Sequence, residues 1–176
     1  MPIVSQILNL KSQIFLIGFM ASGKSTVGPL LAAKLDRPFI DLDRMIEDRA
    51  GCTIADLFER RGEESFRRME SEVLRRAAAG DPAVIAPGGG AVMRRENREL
   101  MREMGISIWL DPPFELCWRR IQKDRIVRPL APDEEAARVR LQQRLPFYQE
   151  AERRIGITEF QTPEEITRLI IDNLTT

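Results

Sequence analysis

There is no histidine anywhere in this 176-residue chain. Its absence removes the general base of Ser-His-Asp and Cys-His hydrolases and the imidazole ligands of common zinc centres. Cysteine is nearly as scarce. Cys52 and Cys117 stand far apart and make no C-x-x-C pair, so they read as two reduced thiols of a cytoplasmic protein without a disulfide framework. Excess charge is missing as well: Lys plus Arg and Asp plus Glu both number 27, for a formal net charge of zero. No overall field draws such a chain to nucleic acid or to an anionic membrane, and an anionic ligand has to be met by a local cluster. No run is long and apolar enough to span a bilayer. Residues 13–22 superficially resemble the core of a secretory leader, but only Lys11 flanks them and they lead straight into a phosphate-binding motif. A buried first strand accounts for them better.

What is present is the balance of an ordinary globular protein, 43% apolar and 31% charged, with a length that fits one domain over residues 1–176. Short apolar runs alternate with longer helix-periodic segments, as in a parallel sheet covered by helices. Strands are expected at residues 14–17, 38–41, 83–86, 106–110 and about 154–157. Thr53 with Asp56 makes a capping box before Ile54, Leu57 and Phe58, and Thr162 with Glu165 makes another before the last helix. Phe66, Met69, Val73 and Leu74 recur at helical spacing, with Glu63–Arg67 and Glu64–Arg68 as i,i+4 pairs. Asp111 followed by Pro112 and Pro113 opens a further helix. Two stretches look irregular, residues 43–62 and residues 123–134. The second holds Arg125, Arg128, Pro129 and Pro132, and long loops in a small domain often serve as lids.

The strongest motif is Gly18-Phe19-Met20-Ala21-Ser22-Gly23-Lys24-Ser25, with Thr26 behind it. It matches G-x-x-x-x-G-K-[ST], which chance produces in roughly one chain of this length in a hundred or fewer. Here it also follows a strand and opens a helix. Glycines let backbone N–H groups turn in around phosphate oxygens, and the helix N-terminus adds partial positive charge. Lys24 is expected on the β- and γ-phosphates, and the Ser25 hydroxyl on Mg²⁺.

A P-loop identifies the donor and leaves the acceptor open. Asp41-Leu42-Asp43 closes the second strand, where strand alternation would put both carboxylates on one side at the ligand-binding edge. One acid could support the metal's waters and the other grip and deprotonate a hydroxyl; a plain strand-end pair is the alternative. Taken alone, Glu63 to Glu70 is a charged helix with solvated arginines, and Arg144 four residues before Tyr148 reads as an exposed salt-bridge partner. Gly88-Gly89-Gly90 is more unusual, since three bare glycines offer backbone N–H groups at close range, or else form a flexible turn.

Together these residues resemble the shikimate kinase family. The resemblance covers about residues 13–174. Besides the P-loop it rests on Asp41-x-Asp43 with Ile46-Glu47, Gly51-x-Thr53-Ile54, Gly62-Glu63-x-x-Phe66-Arg67-x-x-Glu70, Gly88–Gly90, Arg128-Pro129-Leu130 and Arg144-x-x-x-Tyr148-x-x-Ala151. It implies a three-layer α/β P-loop kinase fold, with five parallel strands in order 2-3-1-4-5. The implied reaction moves the γ-phosphoryl group of Mg·ATP to the 3-hydroxyl of shikimate, in a monomer with no nucleic-acid or membrane partner. Gly18, Ala21, Ser22, Gly23, Lys24, Ser25 and Thr26 would hold the nucleotide, with Arg120 and Pro163 on the adenine and Arg128 reaching from the lid. Ser25 and Asp41 would serve Mg²⁺. Asp43 would bind and deprotonate the acceptor, Arg67 and Arg144 would hold its carboxylate, and Gly88, Gly89 and Gly90 would close round the ring. Catalysis would rest on Lys24, Asp43 and Arg128.

The chain departs from the family pattern in four places. Ala21 replaces a frequent glycine and is comfortable only at negative φ. Pro29 falls inside the P-loop helix, where a local distortion is expected. Pro87 replaces a small hydroxyl residue, which removes one hydrogen bond near the metal, and the stretch from Arg120 to Arg128 is about one residue longer than in the family pattern. The nearest rival reading is a gluconate kinase-like enzyme, against which Asp41-x-Asp43 and Phe66-Arg67-x-x-Glu70 argue. A nucleotide switch is the other, and the chain has no guanine-reading Asn-Lys-x-Asp segment.

Overall fold

The computed structural model describes residues 12–124 and 132–175. Five strands form one parallel sheet: β1 (Gln13–Ile17), β2 (Phe39–Asp41), β3 (Val84–Ala86), β4 (Gly105–Asp111) and β5 (Arg153–Gly156), in the order β2-β3-β1-β4-β5. Every pairing is parallel. Strands and order are those expected from the sequence, with ends moved by a residue or two. Seven helices cover the sheet among the described residues: α1 (Lys24–Leu35), α2 (Leu42–Ala50), α3 (Ile54–Ala78), α4 (Arg95–Met104), α5 (Phe114–Lys123), α6 (Glu134–Tyr148) and α7 (Pro163–Leu174). None of them is long and apolar enough to cross a membrane.

Strand alternation explains the three layers. Ile14, Leu16, Ile108 and Leu110 face Val27 and Leu31 of α1 and Ile166 and Ile170 of α7. Phe15, Ile17 and Trp109 face the other way, toward α2 to α6. With β1 buried on both faces, burying each of its large apolar side chains contributes about 1.5–3 kcal/mol. Gln13 is the polar residue of that strand. Its amide donates to the carbonyls of Ala78, Gly80 and Asp81 and accepts from Ala83 N–H, which ties the end of α3 to the sheet.

Because β1 lies between β3 and β4, the chain reverses its direction of travel across the sheet beside the P-loop. That switch point, at the carboxyl ends of the strands, is where open α/β sheets bind ligands. The loops after β1, β2 and β3 all meet there.

Several local expectations change. Residues 43–62 are ordered as α2 and the start of α3. Leu42 and Ile46 are buried one turn apart, and Gly51 closes α2 at φ 65. The Thr53–Asp56 box forms as read, with Ile54 N–H donating to Glu47 Oε1 at 3.0 Å. Helix α3 is broken at Gly62 (φ 74, ψ 170), a conformation that favours glycine. Glu64 pairs with Arg94 at 2.5 Å rather than with Arg68. Of the proposed lid, Lys123 ends α5, Asp133 caps α6 and Glu134 begins it, while residues 125–131, Arg128 included, lie outside the described residues.

Helix α1 runs through Pro29 without ending. One turn of it touches β2 with no space between. A Cβ on Gly28 would lie 2.1 Å from Phe39 Cε2. Gly28→Ala therefore lowers stability by about 1–3 kcal/mol through overpacking, read as a lower melting temperature, and Phe39→Leu in the same chain recovers most of it. An unchanged melting temperature in the single variant would show that the ring moves aside freely.

Candidate active site

A cleft of about 1030 Å³ opens at the carboxyl edge of the sheet, with the P-loop on one side and α2, α3 and the Gly88–Gly90 loop on the other. The P-loop bends through positive φ at Gly18 (150), Ala21 (58) and Gly23 (106). A Cβ on Gly18 would press on Leu110 O at 2.6 Å and Ser22 Oγ at 2.8 Å. The negative φ expected for Ala21 is not found. Its left-handed backbone costs about 1–2 kcal/mol for an L-residue, and the loop holds it there through Arg120 Nη1 donating to Ala21 O at 3.0 Å. Gly23 caps α1 without a side chain, which leaves the first N–H groups of the helix open toward the cleft.

Lys24 Nζ donates to Gly18 O at 2.9 Å and Phe19 O at 3.0 Å, so the ammonium sits inside the curl of the loop. Burial lowers its pKa to about 8, opposed by Asp43, Cys117 and Asp41. Ser25 Oγ donates to Asp41 Oδ2 at 2.8 Å. This pair of hard oxygen donors, with one carboxylate, suits an ion that keeps most of its shell as water and phosphate oxygen. Among the described residues no group of three or more acidic or thiol side chains could cage a metal by itself. Pro87 offers no hydroxyl, and the Ser25–Asp41 contact forms without one.

Asp41 and Asp43 do meet, though not by strand alternation. Strand β2 ends at Asp41, which caps α2 by accepting Asp43 N–H on Oδ1 at 3.1 Å, and this sets Asp43 in the first helical turn. Burial raises the pKa of Asp43, the Asp41 charge raises it further, and Lys24 pulls it back.

Two arginines that look solvated in sequence are buried, Arg67 at 8% and Arg144 at 5% exposure. Arg67 Nη1 donates to Glu70 Oε2 at 2.7 Å, and its Nη2 lies 3.4 Å from Glu63 Oε1. A buried cation needs such a partner, because removing one member of a buried pair typically costs about 3–5 kcal/mol. Tyr148, fully buried one turn after Arg144, donates to Gly89 O at 2.5 Å.

The three glycines are explained by what surrounds them. A Cβ on Gly88 would lie 2.6 Å from Glu70 Oε1 and 2.9 Å from Asp43 Oδ1. On Gly89 it would lie 3.2 Å from Arg144 Nη1, and on Gly90 2.5 Å from both terminal nitrogens of Arg67. A flexible turn would not need them; this crowded charge cluster does.

The cleft thus gathers Ala21 to Thr26, Asp41, Asp43, Arg67, Gly88 to Gly90, Arg120, Arg144 and Pro163. Gly18 lies beneath the loop as an acceptor for Lys24. Sequence reasoning did not place Glu70 in the site, although its i,i+3 spacing from Arg67 signals the pair, nor Phe58, Phe66 and Gln161, which are among the residues of the walls. Phe66 stands in the motif with Arg67 and Glu70, whereas nothing in the spacing of Phe58 and Gln161 distinguishes them from core or turn residues.

The strand order and the P-loop at its switch point make this chain a P-loop kinase. The family model described as Shikimate kinase matches residues 20–175, and the chain belongs to that family. A shikimate kinase of Symbiobacterium thermophilum is 45% identical over 165 residues, covering 92% of this chain and 95% of its own. The crystal structure of shikimate kinase from Bacteroides thetaiotaomicron superposes with a TM-score of 0.85 at 33% identity, covering 94% of this chain and 99% of that one. That of Acinetobacter baumannii shikimate kinase in complex with shikimate gives 0.83 at 36%, covering 97% and 98%. A gluconokinase of Sinorhizobium meliloti, at 19% identity and a TM-score of 0.60 over 94% and 92%, shares the fold.

Proposed function

We propose that this cleft transfers the γ-phosphoryl group of ATP to the 3-hydroxyl of shikimate, giving ADP and shikimate 3-phosphate. One observation carries the reading: the half-buried carboxylate of Asp43, two buried guanidinium groups and three bare glycines face the P-loop across a single cleft. An anionic polyol fits that set, with its carboxylate on the forks of Arg67 and Arg144 and a hydroxyl on Asp43. Asp43 takes the hydroxyl proton as the oxygen attacks phosphorus and the bond to the ADP oxygen breaks. Lys24 leaves its carbonyl contacts for the phosphates and follows the charge to the bridging oxygen. Mg²⁺, held by the Ser25 hydroxyl and by waters on Asp41, would neutralise the β- and γ-phosphate oxygens. Arg120, already on the P-loop, and Pro163 flank the adenine.

On this reading the enzyme is a monomer in a cytoplasmic setting, and the two free thiols support that setting. ADP release measured with shikimate, with gluconate and with neither tests the reading. Faster turnover of gluconate would overturn the acceptor assignment and leave the donor site standing.

Arg67→Lys separates acceptor from donor. Lysine cannot hold Glu70 and a ligand carboxylate in paired geometry, so KM for shikimate rises about tenfold or more while KM for ATP stays within about twofold. Equal rises in both constants would mean that Arg67 does not belong to an acceptor subsite.

A further inference from the structure

Glu70 takes no part in the transfer set out above, yet it lies within the same charge cluster. Its carboxyl group is fully buried on α3. Oε2 accepts from Arg67, while Oε1 is equally buried and has no hydrogen-bond partner among the described residues. That oxygen points at the acceptor end of the cleft. It lies 2.6 Å from the point a Cβ on Gly88 would occupy, and Asp43 Oδ1 lies 2.9 Å from the same point. Two carboxylate oxygens thus converge on one bare glycine with no donor between them.

A buried oxygen without a donor is costly as an anion and inexpensive as O–H, because the proton removes the charge and supplies the missing hydrogen-bond donor. The two protonation states also treat Arg67 differently. Ionised Glu70 neutralises the guanidinium, whereas protonated Glu70 still accepts its hydrogen bond through Oε2 but leaves the positive charge for a ligand. We propose that Glu70 is a proton-gated positioning residue: acceptor binding draws one proton from solvent onto Glu70 Oε1, which frees the charge of Arg67 for the acceptor carboxylate. The inference rests on the reading of Arg67 as an acceptor-carboxylate clamp.

Burial raises the pKa of Glu70, and its charged neighbours pull in both directions. From α3, Arg67 lowers the pKa of Glu70 and is itself shared with Glu63; from α6, Arg144 lowers it, and Arg140 lies 3.9 Å from Glu63; from α2, Asp43 raises it. Burial dominates and pushes Glu70 up to about 7. A ligand carboxylate on Arg67 and Arg144 competes for the two cations that hold the pKa down and displaces water, and both effects raise it further. Free protein near neutrality is therefore partly ionised at Glu70 and the complex is protonated. No covalent bond changes, and the proton comes from the buffer.

Calorimetric titration of shikimate into the nucleotide-free protein tests this, run at about pH 7.5 in two buffers of different ionisation enthalpy. The difference in apparent enthalpy is expected to correspond to uptake of about half to one proton, and Kd is expected to weaken by up to about tenfold per pH unit on the alkaline side. Glu70→Gln keeps the size of the side chain and an acceptor for Arg67, and it is expected to abolish both effects. Equal enthalpies in the two buffers for the wild type, or undiminished uptake in folded Glu70→Gln, would overturn the proposal. If the variant does not fold, the wild-type buffer comparison decides alone. Shikimate that fails to bind a wild-type protein still competent for nucleotide would overturn the reading of Arg67 and this inference with it, whereas binding without uptake overturns the inference only.

Discussion

Replacing Lys24 with methionine lowers kcat by about a hundredfold or more, a loss on the order of 3 kcal/mol of transition-state stabilisation. The ammonium is held by the carbonyls of Gly18 and Phe19, inside the loop that receives the phosphates. In the proposed reaction it turns from these carbonyls to the phosphates, where charge grows on the leaving oxygen, and stabilisation of this kind accounts for much of the power of phosphoryl-transfer sites. Methionine keeps the length and apolar stem, and Lys24 is strongly desolvated, so the fold loses little. Single-turnover rates with saturating ATP and shikimate, beside a thermal melt, separate chemistry from folding. Activity within about threefold of wild type would remove Lys24 from the transition state.

Asp43→Asn produces the second large loss, between about a hundredfold and ten thousandfold in kcat, the usual range for a positioned general base. Nucleotide affinity is expected to stay within about threefold, because the P-loop contacts do not involve this side chain. The amide keeps a contact to the acceptor hydroxyl and cannot take its proton. Asp43 N–H still caps on Asp41 Oδ1, so α2 keeps its start. Equilibrium binding of a fluorescent ATP analogue, measured beside kcat, checks the split. Parallel loss of nucleotide binding would point to a collapsed cleft rather than a missing base.

The donor half of this site was largely legible because its chemistry dictates residue types. A backbone that wraps phosphate needs residues at positive φ and a cation behind them, and Gly18, Gly23 and Lys24 state both. Ala21 breaks that rule in the sequence, and the structure shows the strained backbone retained with an alanine in it. The sheet was legible too, since β1 and β4 alternate between two cores. The acceptor half was harder because its signals are shared with ordinary surfaces. Arg67 and Arg144 have the spacing of solvated helix residues, and only tertiary packing buries them. Asp41 and Asp43 line one cleft, though not through the strand alternation expected, because an aspartate closing a strand and one capping a helix look alike until the backbone turns. Leu42, Ile46 and Gly51 did mark α2, but a helix of nine residues offers too few apolar positions to stand out.

The contact between Gly28 and the ring of Phe39 has a consequence for descent rather than for chemistry. With 2.1 Å between a notional Cβ and the ring, a change at one position alters the cost of a change at the other. A side chain gained at position 28 costs least after a smaller residue has taken position 39, while the reverse order crosses a destabilised intermediate. The seam is therefore directional: a smaller residue at 39 opens the path, and a side chain at 28 follows it at least cost.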